Sequence, residues 1–149
     1  MSHPHSPTVL AERRKHLGIL TLNRPKALNA LSLEMIRQVT AQLLAWRADP
    51  QVGAVLLRGA NREGKAPAFC AGGDIRYFHQ AAQAGDPTLE DFFSEEYALN
   101  HLIHTFGKPT FVLMDGITMG GGMGLAQGCS MRIVTENAKL AMPETHIGL

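Results

Sequence analysis

The chain has 149 residues, 45% of them hydrophobic, with 14 basic and 13 acidic side chains and a formal net charge of +1. That supplies apolar material for one core, offers no basic field for nucleic acid, and contains no apolar run near the ~20 residues that cross a bilayer. Two cysteines, Cys70 and Cys129, are too few for a disulfide scaffold and lack metal-site spacing; with the polar start MSHPHSP and no apolar h-region, the expectation is a soluble cytoplasmic protein with reduced thiols.

In chain order, residues 1–7 are expected to be disordered. Apolar patterns over residues 8–13 and 16–22 flank the basic pair Arg14-Lys15 and predict a hairpin, closed by Asn23-Arg24-Pro25. Ser32 is placed to N-cap a helix reaching Ala48, in which Ile36, Val39, Leu43 and Trp46 recur at three- and four-residue steps before Asp49-Pro50 ends it. Residues 52–58 read as a buried strand and 59–67 as a polar loop. Residues 69–75, FCAGGDI, read as a strand edge running into glycines, and 81–86 as a small polar connector. Thr88 is expected to cap a helix over 89–106 with Asp91 at the reciprocal capping position. A strand at 110–114, a turn at Asp115-Gly116 and a glycine-rich helix follow, then strands at 131–134 and 139–141. The alternation of strands and helices predicts an α/β fold. The chain reaches Ile147-Gly148-Leu149 directly after MPET, with no polar tail or helix stop, so a portion of a longer protein is expected.

Residues 120–124 hold four glycines, Gly120, Gly121, Gly122 and Gly124. Each glycine inside a helix costs about 1 kcal/mol relative to alanine, so the cluster calls for a reason in backbone access. It is not a phosphate loop, because Gly122 and Met123 stand where the Walker spacing from Gly116 and Gly121 requires lysine and serine or threonine. No GxGxxG register fits either. Two readings remain: bare helix N-terminal amides forming an oxyanion hole, or a tight helix packing contact.

Among side chains, Glu96 is the most informative. Leu89, Phe92, Leu99, Ile103 and Phe106 share a helical stripe, and Glu96 falls inside it while Glu95 falls at its edge. A carboxylate there must be paired, protonated or lining a cavity. Glu144 follows Pro143, which stops the preceding strand, and reads as a surface acid at a turn or as a base held at a strand end. His101 and His104 have i, i+3 spacing but point away from the apolar stripe without an HExxH pattern. No metal site is expected. The cysteines lack a spaced histidine partner, and Ser6, Ser32, Ser94 and Ser130 lie in no GxSxG elbow.

NRPKALNAL at 23–31, FCAGGDI at 69–75, KPTFVLMDGITMGGGMGL at 108–125 and AMPETHIGL at 141–149 together resemble the crotonase, or enoyl-CoA hydratase/isomerase, superfamily. FFSEEYALNHLIHTF and GITMGGGMGL resemble its 3-hydroxyisobutyryl-CoA hydrolase branch in particular. The resemblance implies a ClpP/crotonase-like spiral of ββα units, incomplete at the C-terminus. On that reading residues 1–16 are a flexible segment and first strand, and 17–149 the N-terminal part of an acyl-CoA-binding domain. It further implies that the amides of Gly73 and Gly121 hold a thioester oxyanion, that Ala71 and the backbone near Lys26 line the CoA path, that Glu96 contacts the substrate, and that Glu144 is the catalytic glutamate. Hydrolysis of 3-hydroxyisobutyryl-CoA in valine catabolism is the implied activity. No cofactor is implied beyond the CoA carried by the substrate, and the implied partner is that acyl-CoA rather than nucleic acid or membrane, with a homo-oligomer compatible. Gly124 stands where the family's hydratases usually carry a second glutamate, which disfavours two-glutamate hydration. The hydrolase branch's second acid, an aspartate in a segment resembling FPDVG, is not in the sequence. The alternatives are a one-glutamate hydratase or isomerase, and a non-catalytic fragment with residual acyl-CoA binding.

Overall fold

The computed structural model describes residues 6–148, so the expectation of disorder at 1–7 lies, for residues 1–5, outside the described residues. The hairpin forms as β1 (Val9–Arg14) and β2 (Leu17–Leu22), antiparallel with Val9 opposite Leu22, and turns through Lys15 at φ 54°. β1 is mostly exposed, whereas Ile19, Leu20 and Leu22 of β2 are buried. α1 (Leu33–Ala48) starts at Ser32, whose hydroxyl accepts from Met35 N at 3.2 Å, and buries Met35, Ile36, Val39, Leu43 and Trp46. Its far end is closed by Lys108, whose Nζ donates to the carbonyls of Trp46, Asp49 and Val52 at 2.8, 2.7 and 2.7 Å. A half-buried ammonium thus satisfies carbonyls at the helix end and in the turn that follows it.

The remaining strands come in pairs: β3 (Ala54–Gly59) with β4 (Ala68–Cys70), β5 (Thr110–Met114) with β6 (Ile117–Met119), and β7 (Met131–Val134) with β8 (Lys139–Ala141). The first of each pair joins a five-stranded sheet ordered β1-β2-β3-β5-β7, and the second joins a three-stranded sheet ordered β4-β6-β8. All pairings except β1 with β2 are parallel. Parallel neighbours need crossovers. α1 carries the chain from β2 to β3, α2 (Ile75–Ala84) with α3 (Thr88–His104) from β4 to β5, and α4 (Gly121–Gln127) from β6 to β7. Each turn of the chain therefore adds one strand to each sheet and a helix outside, the spiral of ββα units that the family resemblance implies. Leu31, Met35, Leu43, Phe69, Phe92, Leu99, Ile103 and Met114 fill the core between sheets and helices. Along the β7 and β8 side, Met131, Ile133, Val134, Leu140, Met142 and Ile147 remain exposed.

Four local expectations are corrected. Residues 81–86 are not a connector from end to end, because α2 runs to Ala84; Asp74 caps its start by accepting from Arg76 N and Tyr77 N at 3.2 and 3.3 Å, and Gly85 at φ 62° closes it. Thr88 does not cap α3 but opens it, since Pro87 already has a helical φ of −63° and Asp86 Oδ1 accepts from Thr88 N at 2.9 Å. α3 also ends at His104 rather than 106. Between the Asp115-Gly116 turn and the glycine helix lies β6, three residues long and too short for a periodic signal.

Candidate functional site

Two backbone arms meet at one cavity. The first leaves β4 through Ala71, Gly72, Gly73 and Asp74, and is held by the segment 23–31. Ala71 N donates to Leu28 O at 3.0 Å, Leu31 N to Gly72 O at 2.7 Å, and Asp74 N to Leu31 O at 3.0 Å. Leu31 and Gly73 form a parallel bridge. In such a bridge Gly72 O and Asp74 N face Leu31, so the N–H of the intervening Gly73 faces away, toward the cavity it lines.

The holding segment is itself pinned by Asn29, fully buried at φ 56°. Its Nδ2 donates to Ala60 O and Ala68 O at 3.0 and 2.9 Å, and its Oδ1 accepts from Arg24 N at 3.0 Å. Asparagine tolerates left-handed backbone better than other side chains with a Cβ. Arg24 completes the clamp, donating to Ala30 O at 2.9 Å and to the Asp74 carboxylate at 3.0 Å. Burial works against the Asp74 charge, but Arg24 and the N–H groups of Tyr77 and Arg76 outweigh it and hold its pKa below the ordinary value.

The second arm runs from β6 through Gly120, at φ 52°, into α4. Gly120 N donates to Ala141 O at 3.1 Å, tying this arm to β8. Gly121 is the first residue of the helix, where N–H groups have no partner within the helix. The backbone hydrogen bonds of the described loops and caps use neither the Gly73 nor the Gly121 N–H. The arms touch: a Cβ on Gly72 would stand 3.4 Å from Gly121 N, and one on Gly122 would run into the Cys70 carbonyl.

Each of two adjacent glycines makes room for a carboxylate. A Cβ on Gly121 would collide with Glu96 Oε1, and one on Gly120 would lie 2.9 Å from Glu144 Oε1. Glu96 reaches the site from α3 and is only 6% exposed. It makes no ion pair or hydrogen bond among the described residues, and burial, with the Glu144 charge second, pushes its pKa up to about 7. Of the three readings of Glu96, pairing is thereby excluded; the side chain lines a cavity and holds its proton into the neutral range. Its neighbour Glu95 instead takes two hydrogen bonds from Arg37 at 2.7 and 2.8 Å on the surface. Glu144 opens a 3-10 turn (Glu144–Ile147) directly after Pro143, half-buried against the second arm.

The cavity encloses about 370 Å³ and is lined by Ala71, Gly73, Glu96, Asn100, Gly121 and Glu144 with the rings of Phe78, Phe92 and Phe93. Phe78 and Phe92 meet edge to face at 4.7 Å between centroids and give the cavity a rigid apolar wall. The structure thus brings together Ala71, Gly73, Glu96, Gly121 and Glu144 of the expected site residues. Lys26 is not among them. It is exposed and lines an adjoining groove with Ala71, Gly73, Arg24 and Arg76.

The other candidate side chains do not line this cavity. His101 and His104 are exposed, and no group of three His, Cys, Asp or Glu residues that could hold a metal occurs among the described residues. Burial raises the Cys70 thiol to about 12 and the Cys129 thiol to about 11, so neither supplies thiolate at neutral pH. Two residues of the site region escaped the sequence reading. Asn29 had a signal in its own type, between apolar neighbours in a loop. Asn100 lies four residues after Glu96 on α3, also facing the cavity, and is visible only once α4 is packed against it.

Two free backbone donors beside two carboxylates in an apolar cavity can stabilise an oxyanion and move a proton next to it. The profile of the Enoyl-CoA hydratase/isomerase family matches residues 17–149. The 3-hydroxyisobutyryl-CoA hydrolase, mitochondrial, of Rattus norvegicus is 51% identical over 147 residues, which are 99% of this chain and 37% of that protein. Its namesake from Xenopus tropicalis is 54% identical over 132 residues, 89% of this chain and 33% of that protein. Among solved structures, a carnitinyl-CoA dehydratase from Mycobacterium thermoresistibile superposes with a TM-score of 0.90 at 42% identity, covering 97% of this chain and 41% of that one. The chain therefore spans about a third of the length of these curated relatives. Their mitochondrial designation overturns the expectation of a cytoplasmic protein. That expectation rested on a missing apolar h-region, a feature of secretory signals that mitochondrial targeting segments, polar and amphipathic, do not possess.

Proposed function

The chain belongs to the enoyl-CoA hydratase/isomerase family, and on that premise we propose that it carries the oxyanion site and the glutamates of an acyl-CoA thioester hydrolase acting on 3-hydroxyisobutyryl-CoA in valine catabolism. One observation carries the reading: Gly120 and Gly121 each lack the Cβ that would displace Glu144 or Glu96, beside two N–H groups left free of backbone partners.

The thioester carbonyl oxygen accepts from the N–H groups of Gly73 and Gly121, which meet the developing negative charge without reorganising. Loss of one such donor costs about 2.7–4 kcal/mol, a hundred- to thousandfold in rate. Glu144 activates water against the carbonyl carbon or attacks it directly. Glu96 orients the hydroxyl of the acyl group. The groove holding Lys26 and Ala71 takes the CoA moiety, with cationic side chains suited to its phosphates. CoA belongs to the substrate, and no further cofactor is invoked.

A second reading, one-glutamate hydration of an enoyl-CoA, is favoured by the 42% identity to the solved structure of an enoyl-CoA hydratase from Rhodobacter sphaeroides 2.4.1. The deciding experiment compares cleavage of 3-hydroxyisobutyryl-CoA with hydration of crotonyl-CoA by the full-length protein and by its Glu144→Gln variant. Cleavage lost in the variant, with negligible hydration throughout, is the expected result. Hydration without cleavage, or cleavage undiminished by Glu144→Gln, overturns the proposal.

A further inference from the structure

α3 and α4 approach each other through glycines. On α4 and just beyond it, Gly121, Gly124 and Gly128 lie at i, i+3 and i+7, one face of a helix. Opposite them stand Glu96, Asn100 and the backbone around His104. A Cβ on Gly124 would lie 2.9 Å from Asn100 Nδ2, and one on Gly128 would lie 3.2 Å from His104 N. The bare backbone at position 124 is thus what lets the Asn100 carboxamide stand where it does.

That carboxamide is left without a protein partner. Asn100 Oδ1 is buried and unpaired, and no hydrogen bond of its Nδ2 is found among the described residues. Leaving a buried carboxamide oxygen unsatisfied costs about 1–3 kcal/mol, so its retention calls for an occupant that supplies the missing bond. Asn100 lines the same cavity as Glu96, one helical turn along. Neither Leu99 nor Ile103, which flank it in the sequence stripe, reaches that cavity.

We propose that Asn100 is a specificity-determining residue that hydrogen-bonds a hydroxyl on the acyl group, selecting hydroxyacyl thioesters over their deoxy counterparts. The inference rests on the acyl-CoA reading of the site and names the group that reads the acyl chain. An alcohol both donates and accepts, so it pairs with either face of the carboxamide. It can donate to the Asn100 carboxamide oxygen while accepting from the protonated Glu96 side chain. A site with two such groups selects through what a deoxy ligand leaves unpaired.

The test uses the full-length protein and two non-cleavable thioether analogues, of 3-hydroxyisobutyryl-CoA and of isobutyryl-CoA, with affinities measured by calorimetry. The wild type is expected to bind the hydroxylated analogue more tightly. In Asn100→Leu the ratio of the two affinities falls about tenfold, equivalent to ~1.4 kcal/mol, while affinity for the deoxy analogue holds. Asn100→Ala, which removes the carboxamide without adding bulk, gives the same fall and carries the test if the leucine variant does not fold. A ratio unchanged in the folded variant overturns the assignment, whether both analogues weaken together or neither does. Because the readout is binding, a protein that discriminates the hydroxyl yet fails to cleave the thioester sinks the hydrolase reading and leaves this one standing.

Discussion

The two arms present similar glycine amides by different physics. The second arm is nearly self-sufficient: the Gly121 N–H is left without a backbone partner because a helix begins there, and any helix leaves its first N–H groups without internal partners. The first arm has no such local reason. Its Gly73 N–H is free because Leu31 takes the bonds on either side of it, and Leu31 is held in place by Asn29 and Arg24 from a segment some forty residues away. One arm is made by secondary structure and the other by tertiary bracing.

The comparison can be broken where the arms meet. Gly122→Ala pushes a Cβ into the Cys70 carbonyl at the α4–β4 contact, and should destabilise the chain by about 3 kcal/mol, read as a lowered denaturation midpoint. No flexible side chain can yield there, so both arms are disturbed together.

A pH series sharpens the account of what lies between the arms. The folded protein keeps the Glu96 proton up to about pH 7, whereas the unfolded chain releases it near the ordinary value of 4.5. Between those values the folded state binds more protons, so this group's contribution makes stability fall as pH rises from 4.5 to 7. The fall is bounded at roughly 3 kcal/mol by the size of the shift. Glu96→Gln should flatten that part of the profile, and an unchanged slope would refute the buried-acid account.

Asn29→Ala tests the bracing alone. It strands the carbonyls of Ala60 and Ala68 and the N–H of Arg24, at a cost of about 2 kcal/mol. Amide exchange should quicken at Leu31, Ala71 and Asp74 while Gly124 keeps its protection; uniform loss at all four would mean that the arms are not separable. The smallest effect belongs to Glu95→Gln. Its partner Arg37 is exposed, so no measurable change in melting temperature is expected, in contrast to its neighbour Glu96.

Much of this was legible in the chain. Periodicity located α1 and α3 and put Glu96 in an apolar stripe, and the glycine run marked a bare backbone site. Four ordered motifs carried the fold and the candidate residues together. Short elements were not legible: β6 has three residues, and α2 sets only Tyr77, Phe78 and Ala81 partly or fully inside. Asn100 escaped because its significance is a missing partner, and an unmade hydrogen bond leaves no trace in residue spacing. Lys26 fell outside the main cavity for a related reason, since the 3-10 turn at Pro25–Ala27 sends its side chain to solvent.

The sequence by itself determined which residues lack a Cβ, which helix faces are apolar and which acid interrupts one of them, because these depend on residue type and on periods of two and 3.6. Tertiary structure decided that Gly73, Glu96, Gly121 and Glu144, from four separate segments, share one cavity. It also decided that Glu96 is buried beside another carboxylate while Glu95 reaches water. The physical reason is that parallel pairing joins strands distant in sequence, and desolvation depends on what the assembled neighbours exclude.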